Sequence, residues 1–259
     1  MRALFAAASG MTAQQTRIDN IANNLANVNT TGFKKSRAVF QDLFYQEMVG
    51  TSDEAADRAS GAVAQVGAGV RMASVEKDHT QGGVVQTNNL LHVALDGNGY
   101  LAVETESGEQ LFTRDGSFTQ DSDGNLVTTG GLLVAGNINI PRDVQNVQIL
   151  RDGTVQVIMA DDSTEFTTVG QLEVSDFANR TGLRSLGGNL YAETPESGEP
   201  ISVDLGEDVD VVQGFLETSN VDVADELIQM IMAQRAYELN SKVIQAADEA
   251  LQMAASLRR

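Results

Sequence analysis

Residues 223–257 read VADELIQMIMAQRAYELNSKVIQAADEALQMAASL. Val223, Met230, Tyr237, Ile244 and Leu251 recur every seven positions, and Leu227, Ala233, Ala247 and Ala254 lie on adjacent turns. A repeat sustained over this many heptads marks the apolar seam of a helix packed lengthwise on a partner. No Pro or Gly interrupts residues 215–259. Asn220 or Asp222 can cap the start, Asp225 and Glu226 suit the first turn, and Arg258 and Arg259 suit the last. The stretch predicts one helix of about 35 residues.

The other end of the chain repeats the device. Leu4, Met11, Ile18 and Leu25 are also seven apart, with Ala7, Ile21 and Val28 three positions after three of them. Asn20, Asn23, Asn24, Asn27 and Asn29 are poor helix formers, and Gly10 weakens the first half. This predicts a helix that is marginal alone and needs a partner surface. One such stripe would ordinarily mean packing on a globular core. Matching heptads at both ends of a non-helical middle predict instead that the terminal helices pack together.

The middle reads as short strands and turns. Asp96-Gly97, Asp115-Gly116, Asp123-Gly124, Asp152-Gly153 and Gly187-Gly188 each stand between apolar or β-branched residues such as Leu101-Ala102-Val103 and Val155-Gln156-Val157. The expected fold class is α+β, with N- and C-terminal helices forming a coiled-coil layer around a β-rich central region. Three zones follow: a helical domain from 1–30 and 220–259, a connecting domain from 31–81 and 206–219, and a β-rich outer domain over 82–205. Within the second, the Ala-, Gly- and Ser-rich stretch 46–70 reads as a long loop or extended hairpin.

Charge divides along the same lines. The 259 residues hold 17 Lys+Arg and 36 Asp+Glu, a formal charge of −19. Residues 1–37 carry +4 and residues 221–259 carry −2, which leaves −21 for the middle. This argues against nucleic acid as a partner, because neutralising phosphates needs an excess of Lys and Arg. No run of eighteen apolar residues exists, so no membrane-spanning helix is expected. Met1–Gly10 imitates a secretory signal, but its apolar stretch, Ala3–Ala8, is too short, so no cleaved signal is expected.

Enzymatic chemistry has few parts here. There is no Cys, so there is no thiolate nucleophile or Cys-based zinc site, and His79 and His92 are the only histidines. Gly97-Asn98-Gly99-Tyr100-Leu101-Ala102 fits a dinucleotide fingerprint, but a strand-like, acidic run follows where a helix must begin, so a tight turn is expected. Asp121-Ser122-Asp123-Gly124-Asn125 opens like a calcium loop but has Leu126 and Leu132 where Gly and Glu belong, so a hairpin turn is expected. No catalytic, cofactor or metal residues are assigned.

Two segments carry a resemblance. Ile21-Ala22-Asn23-Asn24-Leu25-Ala26-Asn27-Val28-Asn29-Thr30-Thr31-Gly32-Phe33-Lys34 resembles the N-terminal signature of bacterial flagellar rod and hook proteins. Ser219–Leu227 and Gln234-Arg235-Ala236-Tyr237-Glu238-Leu239-Asn240-Ser241-Lys242 resemble the C-terminal signature of that family. Asp96–Leu101 and Phe112–Phe118 resemble recurrent pieces of its middle, and Ala38–Gln46 with Val66–Val70 resembles the distal-rod branch. The resemblance implies a non-enzymatic structural subunit of a rigid hollow drive shaft that transmits torque from motor to hook. The subunit would be exported without a cleaved signal and sit in the basal body from periplasm to outer membrane.

Its implied partners are further copies of itself in a helical polymer, the proximal rod proteins, the hook protein, the peptidoglycan and lipopolysaccharide rings, and the flagellar export apparatus. Leu4, Met11, Ile18, Leu25 and Val28 would pack with Val223, Leu227, Met230, Tyr237, Ile244 and Leu251 in the inner layer. Asn23, Asn24, Asn27, Gly32, Phe33, Gln234, Arg235 and Asn240 belong to the motif. Asn24 and Asn27 would either bridge subunits or end the helix in a turn, Gly32 would take a backbone conformation closed to other residues, and Phe33 would anchor the chain. The competing readings are a hook or proximal rod protein, a secreted β-rich adhesin with a helical stalk and, last, an acidic hydrolase.

Overall fold

The computed structural model describes residues 2–48, 64–105, 107–159 and 166–256. They form an N-terminal helix, a β-rich middle and a C-terminal helix, divided between two compact units. The first unit contains 1–25, 36–76 and 222–259, and the second contains 26–35 and 77–221. The stretch 31–81 is thus shared between the two, and 206–219 lies in the second.

In the first unit, α1 (Arg2–Ala26) is followed by four strands and, far along the chain, by α2 (Val223–Ser256). Asp222 caps α2, its carboxylate accepting from the backbone N–H of Ala224 at 2.8 Å and of Asp225 at 3.3 Å. Helix α1 stops at Ala26, ahead of Val28, because Asn27 starts a turn: Thr30 donates to its carbonyl at 3.1 Å through N–H and to its side chain at 3.2 Å through the hydroxyl.

The strands β1 (Ser36–Asp42) and β4 (Val70–Lys77) pair, as do β2 (Tyr45–Met48) and β3 (Ala64–Gly67) in antiparallel register. Leu43 N–H to Gly69 O (2.9 Å) and Ala68 N–H to Phe44 O (3.3 Å) join the pairs into one two-stranded ribbon. Residues 49–63, most of the insert singled out in the sequence, lie outside the described residues. The ribbon has no core of its own, since no residue with a described side chain on these four strands is buried. Phe44 is 91% exposed, and Tyr45, Val66, Met72 and Val75 are exposed as well.

In the second unit, β5 (Val84–Gln86), β6 (Val93–Asp96), β7 (Tyr100–Glu104) and β8 (Gln110–Thr113) come first, and the last two strands are 210–213 and 215–217. The C-terminal strands return to the first ones: 210–213 pairs with β6 and 215–217 with β5, both antiparallel. Between them lie a nine-stranded sheet containing β7 and β8 and a three-stranded sheet over 144–171.

The main core gathers Val93, Leu95, Phe118, Leu126, Val155, Val157, Leu172 and Val211 from strands and adjoining segments across this span. A second cluster, Tyr100, Phe112, Phe177 and Tyr191, packs edge to face, with centroids 4.8 Å apart for Phe112–Phe177 and 5.6 Å for Tyr100–Tyr191. Turns stand at Gly97–Gly99 and at Asp121–Asn125, where strands follow instead of a helix or a calcium loop.

Candidate functional site: two anchoring networks and a helix pair

The N-terminal signature segment meets the C-terminal part of the chain in two places, one in each unit, at Glu226 and at Glu217. In the first unit, Asn24 is buried in the last turn of α1. Its amide nitrogen donates to Ser36 O at 2.9 Å and to Glu226 Oε1 at 3.3 Å, and its oxygen accepts from Ser36 N–H at 2.9 Å. One side chain therefore ties α1 to the start of β1 and to the first turn of α2. Farther along, the Arg17 guanidinium donates to Gln229 Oε1, and a Cβ at Gly10 would lie 2.9 Å from Asn240 Nδ2. These contacts run in opposite senses along the two helices, so α1 and α2 lie antiparallel. At the ribbon, the Ser9 hydroxyl accepts from Val70 N–H at 3.3 Å.

The seam residues named from the sequence occupy graded positions. Ile21, Ala7 and Ala233 are buried, while Leu4, Met11, Ile18, Leu25, Val28, Met230 and Ile244 are half-buried. Val223, Leu227, Tyr237 and Leu251 are exposed, as are Asn23, Gln234 and Arg235. Asn240 is half-buried and faces Gly10. Asn24 and Asn27 both have hydrogen-bond partners within their own chain.

In the second unit, Gly32 and Phe33 are buried at the start of an extended segment, and Lys77 Nζ sits 4.6 Å from the centre of the Phe33 ring. Gly32 has φ +66°, and its N–H donates to Glu217 O at 2.9 Å. Next to it, Lys34 Nζ lies 2.5 Å from Glu217 Oε1 and donates to Thr80 O at 2.7 Å. Arg114 Nε lies 3.0 Å from Glu217 Oε2, while its other nitrogens donate to Gly99 O at 2.6 Å and Gly97 O at 2.7 Å. Gly82 N–H also donates to Glu217 Oε1, at 2.8 Å.

Lys34 and Glu217 side chains are each 1% exposed. The cluster holds two cations and one anion. Burial holds the Lys34 ammonium below its ordinary pKa, against the opposing pull of Glu217. The arrangement fastens the two ends of the second unit together.

Beside it, His79 Nδ1 is 2.6 Å from the Tyr100 hydroxyl and edge-on to Tyr100 and Tyr191. Burial, aided by the positive charges of Lys34, Arg180 and Lys77, lowers the imidazole pKa to about 4. Its ordinary value is 6.5, so the unfolded chain binds the extra proton between pH 6.5 and about 4 and stability falls as pH drops through that window. The expected loss is about 2 kcal/mol after allowing for partial solvent access. Urea midpoints of the full chain measured from pH 7 to 4 should show this slope. His79→Gln, which keeps an acceptor for Tyr100, should flatten it; an equal slope in that variant would show that other groups carry it.

Sequence reasoning named Lys34 only inside its motif and did not single out Glu217 or Arg114 as functional. They are separated by 183 and 103 residues, and no periodicity links them. Among the described residues, no group of three or more His, Asp or Glu side chains is placed to hold a metal ion. No helix among them is long and apolar enough to cross a membrane.

Comparison with known proteins defines the class. Residues 4–34 match the family model described as flagella basal body rod protein, residues 94–157 that of the flagellar hook protein FlgE/F/G D1 domain, and residues 212–257 that of the flagellar basal body rod FlgEFG protein C-terminal. The chain belongs to the flagellar basal-body rod and hook family, as a structural protein of the flagellum.

Within that class it has full-length relatives that are rod proteins. It is 47% identical to the flagellar basal-body rod protein FlgG of Agrobacterium fabrum, over 96% of each chain. It is 39% identical to that of Bacillus subtilis over 100% of both. The flagellar hook protein FlgE of Helicobacter mustelae is 41% identical over only 52% of this chain and 30% of its own length. The protein is accordingly a structural subunit of the basal-body rod.

Proposed function

We propose that the subunit polymerises into the distal rod, a stiff hollow shaft in which α1 and α2 form a coiled-coil inner layer and the β-rich unit lies outside. The observation that carries this reading is the circumference of α2. Beyond the stripe that meets α1, Ile228, Met232, Leu239, Val243 and Met253 form a second apolar line, each between 47% and 62% exposed. Met232, Leu239 and Met253 fall on a seven-residue spacing with Ala246. A helix apolar on most of its circumference is a helix of an interior. An exposed apolar strip of this length on a single chain marks an interaction surface.

The strip offers a second heptad seam to neighbouring copies, and the exposed apolar residues of the coreless ribbon offer another contact. In this reading the proximal rod proteins and the hook protein abut the two ends of the polymer. The peptidoglycan and lipopolysaccharide rings surround it, and the export apparatus delivers the chain. The second unit carries −15 of the total charge. Placed outermost, it gives the shaft a uniformly acidic exterior.

The test is Met232→Glu with Leu239→Glu. Both side chains are already exposed, so the isolated chain should keep its denaturation midpoint within about 0.5 kcal/mol. Buried in a seam, two carboxylates are incompatible with packing, so sedimentation should find no polymer and basal bodies should lack the distal segment. Normal rods built from the double variant would remove α2's second line from the interface.

A further inference from the structure

Leu4, Met11, Ile18 and Leu25 of α1 are seven apart and half-buried, and so are Met230 and Ile244 of α2 at twice that spacing, with the more exposed Tyr237 midway. Sliding one helix past the other by one heptad therefore again sets apolar side chains against apolar side chains. Apolar contact alone therefore does not fix the register. The polar contacts do. Asn24 with Glu226, Arg17 with Gln229, and Gly10 with Asn240 are spaced along both helices and belong to one antiparallel alignment.

Two of the three resist a slide. Asn24 is also held through both amide atoms to Ser36, so its side chain is not free to turn to another partner when α2 slides. At Gly10 the missing side chain makes the room that Asn240 fills, because a Cβ there would lie 2.9 Å from Nδ2 and 3.4 Å from Cγ. A small residue opposite a larger polar one admits a single alignment, as a buried polar residue does at a coiled-coil seam.

We infer that Gly10, Asn240, Asn24 and Glu226 are the register-determining residues of the terminal helix pair, while the heptad residues supply adhesion without choosing the alignment. The inference concerns one chain and stands apart from how that chain polymerises.

The chain has no cysteine, so introduced pairs report alone. Arg17→Cys with Gln229→Cys reads the observed alignment, and Arg17→Cys with Ala236→Cys or with Asp222→Cys reads slides of one heptad either way. A short bis-maleimide is applied to the full chain, alone and in assembled rods. In the otherwise unchanged chain only the 17–229 pair should link. Adding Gly10→Leu, or Asn240→Leu with Glu226→Leu, should lower 17–229 linking at least fivefold and raise a slipped pair. Asn240→Gln, which keeps the amide, should restore most of the original pattern.

Exclusive 17–229 linking in the leucine variants would overturn the inference, because the apolar lines would then set the register. Loss of linking at all three pairs, with helix content gone by circular dichroism, would also overturn it, because the polar residues would then supply adhesion.

Discussion

Glu217→Gln should cost the second unit about 3 to 5 kcal/mol, the loss expected when one partner of a buried ion pair is removed. The substitution is nearly isosteric, so almost all of the effect is electrostatic. With Glu217 neutral, Lys34 and Arg114 remain 1% and 4% exposed and face no counter-ion in the cluster. The reciprocal change should be milder. Lys34→Met leaves Arg114 with Glu217, a neutral pair, and forfeits the contact with Glu217 Oε1 at 2.5 Å and the hydrogen bond to Thr80 O at 2.7 Å, together about 2 kcal/mol.

Removing the anion should therefore hurt about twice as much as removing a cation, although the two groups form the same bridge. Denaturant titrations of the two variants decide it; equal losses would mean the bridge acts as a plain contact. A pH arm sharpens the test. Lys34 is held below its ordinary 10.5, and loss of Glu217 removes the main influence raising it. The Gln variant should regain stability as pH climbs toward 10.5, because there the unfolded chain binds the extra proton.

The second large effect belongs to Gly32→Ala. Its φ of +66° disfavours any residue with a Cβ by about 1 to 2 kcal/mol. The built Cβ would also fall 2.7 Å from Asp115 N and 2.8 Å from Arg114 C, both backbone atoms that no side-chain rotation relieves. The sum should reach about 3 to 4 kcal/mol. Gly108→Ala is the control. Gly108 has φ +81° with no atom near its Cβ position, so only the conformational part is lost, about 1 kcal/mol. If both variants melted alike, the approach of residues 114–115 to Gly32 would carry no weight. Arg114 sits on that same backbone, so a shift there also disturbs its reach to Glu217.

These residues show what sequence could and could not reveal. The helices were legible because their apolar period spans both ends of the chain, and the turns because Asp-Gly pairs punctuate the middle. The graded burial of the seam was less legible. Heptad counting put Val223, Leu227, Tyr237 and Leu251 in one class with Ile21, yet in a single chain the first four are exposed and Ile21 is buried. The counting also passed over Ile228, Met232, Leu239, Val243 and Met253, because a helix apolar on several faces offers more than one seam and the eye takes the first. The Lys34–Glu217–Arg114 cluster could not be read at all. Ion pairs between distant segments leave no local pattern, and every partner is a residue type common on surfaces.

Glu217 has one more consequence, in time instead of space. Strands β5 and β6 find their partners only at 210–217, and Lys34 and Gly32 find theirs only at Glu217, so the first pieces of the second unit wait for its last. Contacts this remote make closure slow. A chain appearing N-terminus first leaves β5 and β6 without their strand partners until nearly 220 residues are out. The second unit then closes as its last strands arrive, just ahead of α2.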